Sequence, residues 1–191
     1  MNMVDRINGL TEEVCVVDVL LNEMKDHPCK SCGKCVYGYE GLTQCEMIFK
    51  DISEKKAKSN DKELLLDVSR LMSTQSLCDD GIELGMAVEE ALKVHEEIID
   101  EHIAKKQCRA SVCKSFMTMH ILASKCVGCT DCLDVCEDDA ILGKRKFVHV
   151  IDNDECTLCG KCLEVCKEHA IVFAGARKPK CPKKPIPCRK R

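Results

Sequence analysis

Eight cysteines in the second half of the chain fall into two runs with the same spacing. They are Cys126-x2-Cys129-x2-Cys132-x3-Cys136 and Cys156-x2-Cys159-x2-Cys162-x3-Cys166. Three thiolates two residues apart wrap one corner of a cubane iron–sulfur cluster, and in paired runs the fourth ligand comes from the other run. The spacing predicts two crossed ligand sets: Cys126, Cys129, Cys132 and Cys166 for one cluster, and Cys156, Cys159, Cys162 and Cys136 for the other. Zinc is the competing reading, but it takes two Cys pairs at long separation rather than two runs of four.

Two further groups carry soft ligands. Cys29-x2-Cys32-x2-Cys35 opens a third run, with Cys78 far downstream. His102-x5-Cys108-x4-Cys113 offers a mixed set that would suit zinc, with Cys181 or Cys188, or His120, as the fourth ligand. Ordinary reduced thiols at a helix end are the alternative there. Cys15 reads as a small buried hydrophobe, and His95, Met117 and Met119 read as packing residues.

The elements that must hold these groups follow from periodicity. Thr11, Glu12 and Glu13 read as a helix start, with Val14, Val17, Leu20, Leu21 and Met24 at helical spacing behind them. Pro28 ends that helix. Further helices are expected over 42–57, from Asp61 onward, and over 82–103. Residues 11–104 thus read as a small helical bundle, and 107–114 as a hinge. Segments 126–142 and 156–172 form an internal repeat with a period of 30 residues. Each copy offers a short strand, a cysteine loop, a short helix and a strand. A unit this short buries its apolar face only against its twin.

Composition agrees with metal ligation. There are 18 Cys in 191 residues, no Trp, and 3% aromatic residues, so a large ring-built core is excluded. The opening Met1-Asn2-Met3-Val4-Asp5-Arg6 lacks a signal-peptide pattern, and the apolar run from Val14 to Leu21 is too short to span a bilayer. A cytoplasmic, reducing location without membrane insertion is the expectation, and there cysteines read as metal ligands rather than disulfides. The net charge of −3 hides a split. Residues 177–191 carry eight Lys/Arg and no acid, which leaves 21 basic against 32 acidic side chains in residues 1–176. Four of the five prolines also lie in that tail, which predicts an extended, mobile segment. No aromatic residue interleaves with its charges, so base stacking is excluded and nucleic acid is not an expected partner. Docking on an acidic protein surface is.

Residues 116–174 resemble the bacterial two-cluster ferredoxins. They depart from that family after the fourth cysteine of each run, where Glu137 and Lys167 stand in place of the usual proline. Acids at Glu137, Asp138 and Asp139 should oppose an added electron nearby and Lys167 should favour it, so two unequal clusters are expected. A longer resemblance covers residues 12–174. Val14-Cys15-Val16-Val17-Asp18-Val19, Ser31-Cys32-Gly33-Lys34-Cys35, Glu40-Gly41 and Ser76-Leu77-Cys78 are similar in order and spacing to the C-terminal iron–sulfur region of the NADH-binding flavoprotein subunit of NADH-quinone oxidoreductase. The versions in NAD-reducing and electron-bifurcating hydrogenases continue through a cysteine-containing connector, like residues 106–114 here, into a two-cluster ferredoxin domain. The resemblance implies one [4Fe-4S] cluster in a four-helix region. Alignment on Ser31–Cys35 puts the family's third clustered ligand at Gly38, which cannot ligate. Cys29, Cys32, Cys35 and Cys78 are then the expected set, with Cys45 in reserve. The flavin and NADH domains are not recognisable, and a chain opening at Met1 just ahead of the resemblance reads as a separate piece.

The expectation is an α+β protein. Residues 1–104 form a helical bundle binding one iron–sulfur cluster, 105–115 a cysteine-containing hinge, 116–174 a ferredoxin-like two-[4Fe-4S] domain, and 175–191 a basic, proline-rich tail. The resemblance implies three [4Fe-4S] clusters, with zinc as an addition, in an electron-transfer subunit that is not an enzyme by itself. Its partners would be flavoprotein, hydrogenase or dehydrogenase subunits of an anaerobic, NAD(P)H-, hydrogenase- or formate-dehydrogenase-linked complex. A structural or regulatory metal-binding protein and a freely diffusing ferredoxin are the alternatives.

Overall fold

A computed structural model describes residues 2–11, 13–33 and 35–188. The chain divides into two compact units, Met1–Phe116 and Met117–Arg191. Among the described residues, no helix is long and apolar enough to cross a membrane.

The first unit is helical: α1 (Met3–Asn8), α2 (Val16–Lys25), α3 (Cys29–Cys32), α4 (Val36–Ser53), α5 (Asp61–Gln75), α6 (Asp79–Val94) and α7 (Glu96–Ile103), closed by a 3-10 turn at Lys114–Phe116. Helix α5 packs on α4 and α6, α2 on α4, and α1 on α6. The core is mainly aliphatic, with Leu20, Leu42, Leu65, Leu84 and Ile99 fully buried along with the ring of Phe49. Truncating that ring to Ala would cost about 3–5 kcal/mol.

Three details differ from the sequence-based expectation. The first long helix starts at Val16 rather than Thr11, with Cys15 as its N-cap; Glu12 lies outside the described residues. The segment expected as one helix over 82–103 is two, because His95 leaves helical geometry to donate Nε2–H to the Ile7 carbonyl at 2.8 Å. That bond ties α1 to the break. Helix α1 itself lies ahead of any expected helix; Asn2 caps it by accepting from the Asp5 N–H.

The second unit contains β1 (Thr118–Ile121), α8 (Asp131–Asp134), β2 (Ile141–Leu142), β3 (Phe147–Val148), β4 (Val150–Ile151), α9 (Lys161–Val165), β5 (Ile171–Ala174) and β6 (Ile186–Pro187). The repeat is visible in the strand pairing. β1 pairs antiparallel with β5, setting Ile121 opposite Ile171, and β2 pairs with β4, setting Ile141 opposite Ile151. Adding or subtracting 30 converts one pair into the other. Backbone turns repeat as well: Thr130 and Gly160 have φ of 85° and 82°, and Asp139 and His169 have 51° and 47°.

The tail was expected to stand free. Its described part instead folds onto this unit. β6 pairs with β3, and the Cys188 N–H donates to the Lys146 carbonyl at 3.0 Å. Prolines that cannot donate suit such a short edge strand. Arg189, Lys190 and Arg191 lie outside the described residues.

Candidate iron–sulfur and metal-binding sites

In the helical unit, three expected ligands sit at helix starts. Cys29 begins α3, Cys35 is the N-cap of α4, and Cys78 is the N-cap of α6. Helix N-termini present unpaired N–H groups and positive dipole ends, which stabilise thiolate charge. Cys35 shows this directly. Its Sγ accepts from the Leu77 N–H at 3.4 Å and the Gly38 N–H at 3.3 Å, and these bonds lower its pKa. Burial pushes Cys29 up to about 12, assisted by the neighbouring Cys78 and Cys32.

Gly38 lies where these thiols converge. A Cβ there would stand 3.1 Å from Cys35 Sγ, 3.6 Å from Cys29 Sγ and 3.7 Å from Cys78 Sγ. Glycine keeps that space open. Nearby, the buried Ser76 hydroxyl favours the Cys35 thiolate yet has no hydrogen-bond partner of good geometry. A thiol-lined space with an orphaned donor fits a cluster whose sulfur atoms would accept. Cys45 is elsewhere: it is fully buried in α4, its thiol 3.9 Å from the Met72 sulfur, and burial alone raises it to about 12.

In the second unit, Cys126, Cys129, Cys132 and Cys166 line one cavity of about 280 Å³, together with His149. Cys136, Cys156, Cys159 and Cys162 line another, together with Met119. The crossing arises because the helix after each loop returns its last cysteine toward the twin loop. Burial pushes Cys132 up to about 12, and its partners Cys126 and Cys129 add to this. A metal-bound thiolate needs no proton, so these raised values mark cysteines that burial alone would leave neutral.

His149 is 1% exposed, and its Nδ1 lies 3.3 Å from Cys132 Sγ. Its Nε2 is buried without a well-formed hydrogen bond, an arrangement that costs about 1–3 kcal/mol. Burial raises the Cys188 thiol pKa, and the neighbouring Cys126 and Cys129 add to this, which sets Cys188 beside the same quartet.

A different kind of site lies in the first unit. Cys15, His102, Cys108 and Cys113 are all buried, and their ligand atoms lie within 4.8 Å of one another. His102 Nε2 is 3.4 Å from Cys15 Sγ and 3.6 Å from Cys113 Sγ, and the two sulfurs are 3.7 Å apart. A tetrahedral zinc ion with ordinary bond lengths sets its sulfur and nitrogen ligands about 3.5–3.8 Å apart. His102 Nδ1–H donates to the Ile98 carbonyl at 2.7 Å, fixing the ring with Nε2 toward the thiols. Burial opposes charge on His102, but hydrogen bonds with Cys108 and Cys15 outweigh it and push its pKa up to about 10. The same contacts drive Cys108 down, through bonds with Cys113 and Cys15, and Cys113 up.

This grouping corrects the sequence reading in one respect. Cys15 takes the fourth place, not Cys181 or Cys188. Cys188 meets Cys126, and Cys181 lines a cavity with Met119, His120 and His149. His120 instead contacts the Thr118 hydroxyl at 2.8 Å. Cys15 was hidden by its apolar neighbours; the available signal was an incomplete Cys/His set whose fourth ligand had to come from some cysteine outside the runs.

Residues 18–102 match the family described as the NADH-ubiquinone oxidoreductase-F iron-sulfur binding region, and residues 119–173 match the 4Fe-4S dicluster domain. The chain thus joins an iron–sulfur binding region of the oxidoreductase-F type to a 4Fe-4S dicluster domain, in a mixed α+β fold. Both are electron-transfer domains, and neither match is to a flavin- or NADH-binding domain. The oxidoreductase-F region implies a part of a redox complex.

Proposed function

We propose that this chain is an electron-relay subunit of a larger oxidoreductase complex, linked to NAD(P)H, hydrogen or formate oxidation. The observation that carries the reading is the presence, in one chain, of three cysteine quartets, one at converging helix starts and two in a crossed repeat. A [4Fe-4S] cluster bound at each would supply a reversible one-electron carrier.

The protein's own residues do the rest. Cys29, Cys32, Cys35 and Cys78 would hold the cluster of the helical unit, with the Leu77 and Gly38 N–H groups stabilising the Cys35 thiolate and Gly38 leaving the space clear. Cys126, Cys129, Cys132 and Cys166, and Cys136, Cys156, Cys159 and Cys162, would hold the other two. Cys15, His102, Cys108 and Cys113 would hold zinc, a closed four-ligand site of structural type.

A place among partner subunits is supported by the surface beside Cys35. A groove of about 640 Å³ there is lined by Val36, Tyr37, Tyr39 and Leu77, all exposed. Apolar side chains grouped at the surface mark interaction sites. Anaerobic purification from the native source with mass spectrometry tests the assignment. A flavoprotein, hydrogenase or dehydrogenase subunit should co-purify, and the visible absorption should bleach with a low-potential reductant. A colourless, zinc-only protein that purifies alone would overturn it.

A further inference from the structure

The two halves of the second unit correspond position by position through the 30-residue period, so the residues beside the two quartets can be compared directly. With the 30-residue period, Cys132 corresponds to Cys162, and His149 to Met119. The structure keeps that correspondence in space. His149 lines the cavity of Cys126, Cys129, Cys132 and Cys166, while Met119 lines that of Cys136, Cys156, Cys159 and Cys162. Both are buried, at 1% and 0% exposure. One half thus presents an imidazole to its quartet where the other presents a thioether.

The exchange is accompanied by a second. Phe173 stands opposite Met119 in the β1–β5 pair. The next step in the β2–β4 register brings Gly143, the counterpart of Phe173, opposite His149. A Cβ at Gly143 would stand 2.0 Å from the imidazole Cδ2. The ring therefore occupies space that only glycine leaves. Two positions have changed together, and the outcome is Nδ1 at 3.3 Å from Cys132 Sγ. A ligating thiolate has lone pairs and no proton, so the hydrogen in that contact belongs to Nδ1. Met119 has no hydrogen to donate to Cys162.

Resting on the ligand sets proposed above, we infer that His149 is a positioning residue that makes the two clusters of this unit unequal. Its Nδ1–H bond to Cys132 favours the reduced form at the Cys126 quartet and gives that site the higher reduction potential. Hydrogen bonds to cluster sulfurs withdraw electron density and stabilise the more negative, reduced state. Formal charge does not account for the difference, since Lys167 lines the His149 cavity together with Asp131 and Glu168, and Lys161 lines the other together with Asp138. No side-chain donor meets a cysteine of the Met119 quartet among the described residues. An electron entering this unit rests at the Cys126 quartet, and the repeat has acquired a direction that its symmetry alone would not give.

The test is an anaerobic redox titration of the full chain, followed by electron paramagnetic resonance, with His149→Met, His149→Asn and the double variant Met119→His, Phe173→Gly beside the parent. Asparagine places an N–H near the Nδ1 position. The Met variant should lower one midpoint, that of the signal lost in Cys132→Ala, and bring the pair together. The Asn variant should hold the midpoint near that of the parent, and the double variant, which supplies the space that Gly143 gives His149, should raise the other. An unshifted midpoint in His149→Met at full iron content, or a shift in the signal lost in Cys162→Ala, overturns the inference. A readout without substitution is also available. Histidine labelled with 15N should show a nuclear coupling to the reduced Cys126-quartet cluster in the parent protein, and its absence overturns the inference even if no variant assembles. Failure of the ligand sets themselves would show separately, as full iron content in Cys132→Ala.

Discussion

The helical unit and the two-cluster unit use the same thiol chemistry on scaffolds that depend on it to different degrees. In the helical unit, more than twenty buried residues, mostly aliphatic, form the core; Cys29 is its one member from the quartet, and Cys78 packs against it. The quartet is a small part of that interior. In the two-cluster unit the buried core has eight members, and two of them are Cys132 and Cys162. Cys126, Cys136, Cys156 and Cys166 pack against it. There the ligands are a large part of the interior, and what they hold must supply folding free energy that the few isoleucines do not. The same ligand type is a minor component of one interior and a major component of the other.

The largest effect that separates the units is iron removal. Anaerobic chelation should unfold the two-cluster unit and leave the helical one folded, read as retained helical circular dichroism with proteolysis confined to residues beyond 117. Equal loss in both units would break the comparison. Next is the crossed repeat. Cys132→Ala and Cys166→Ala should each extinguish the same paramagnetic signal and lower iron from about 12 to about eight per chain; loss of different signals would remove the crossing.

Cys15→Ser should release the zinc, from about one per chain to none, and lower the melting temperature of the helical unit without touching iron. Zinc uptake requires deprotonated thiols, so affinity should fall as pH is lowered. Gly38→Ala is more local. The added methyl meets three thiols within 3.7 Å, so the iron of the helical unit should fall while the fold persists. Unchanged iron would mean that the cradle is looser than its geometry. The smallest effect belongs to truncation after Ala176. Zinc and about 12 iron should remain, and binding to an acidic partner should lose its salt dependence.

Legibility followed sequence distance. The two runs of four cysteines are local, so the repeat that contains them was visible as a 30-residue period, while the pairing of its strands was not. In the helical unit the helices were visible as apolar periodicity, but their ends were not. The stop at His95 depends on the Ile7 carbonyl, 88 residues away. Cys15 joined its site across 87 residues to His102 and was masked by an apolar run. Gly38 was legible as a departure, but its use as cleared space among thiols needed three dimensions. The tail was read from its prolines and charge as detached, and a two-residue strand gives no periodic signal to say otherwise.

The Cys/His site has one more consequence. Cys15 and Cys113, 98 residues apart in sequence, bracket nearly the whole helical unit, one near where the chain enters it and the other where it leaves. A metal ion shared by the two ends works as a drawstring. With the metal bound, the chain between them would be a closed loop, and the freedom that closure removes from the unfolded helical unit would add to its stability. The segment that completes the site, residues 105–116, also enters the core through Cys108, Cys113 and Phe116 and pairs Arg109 with Glu101 at 2.9 Å.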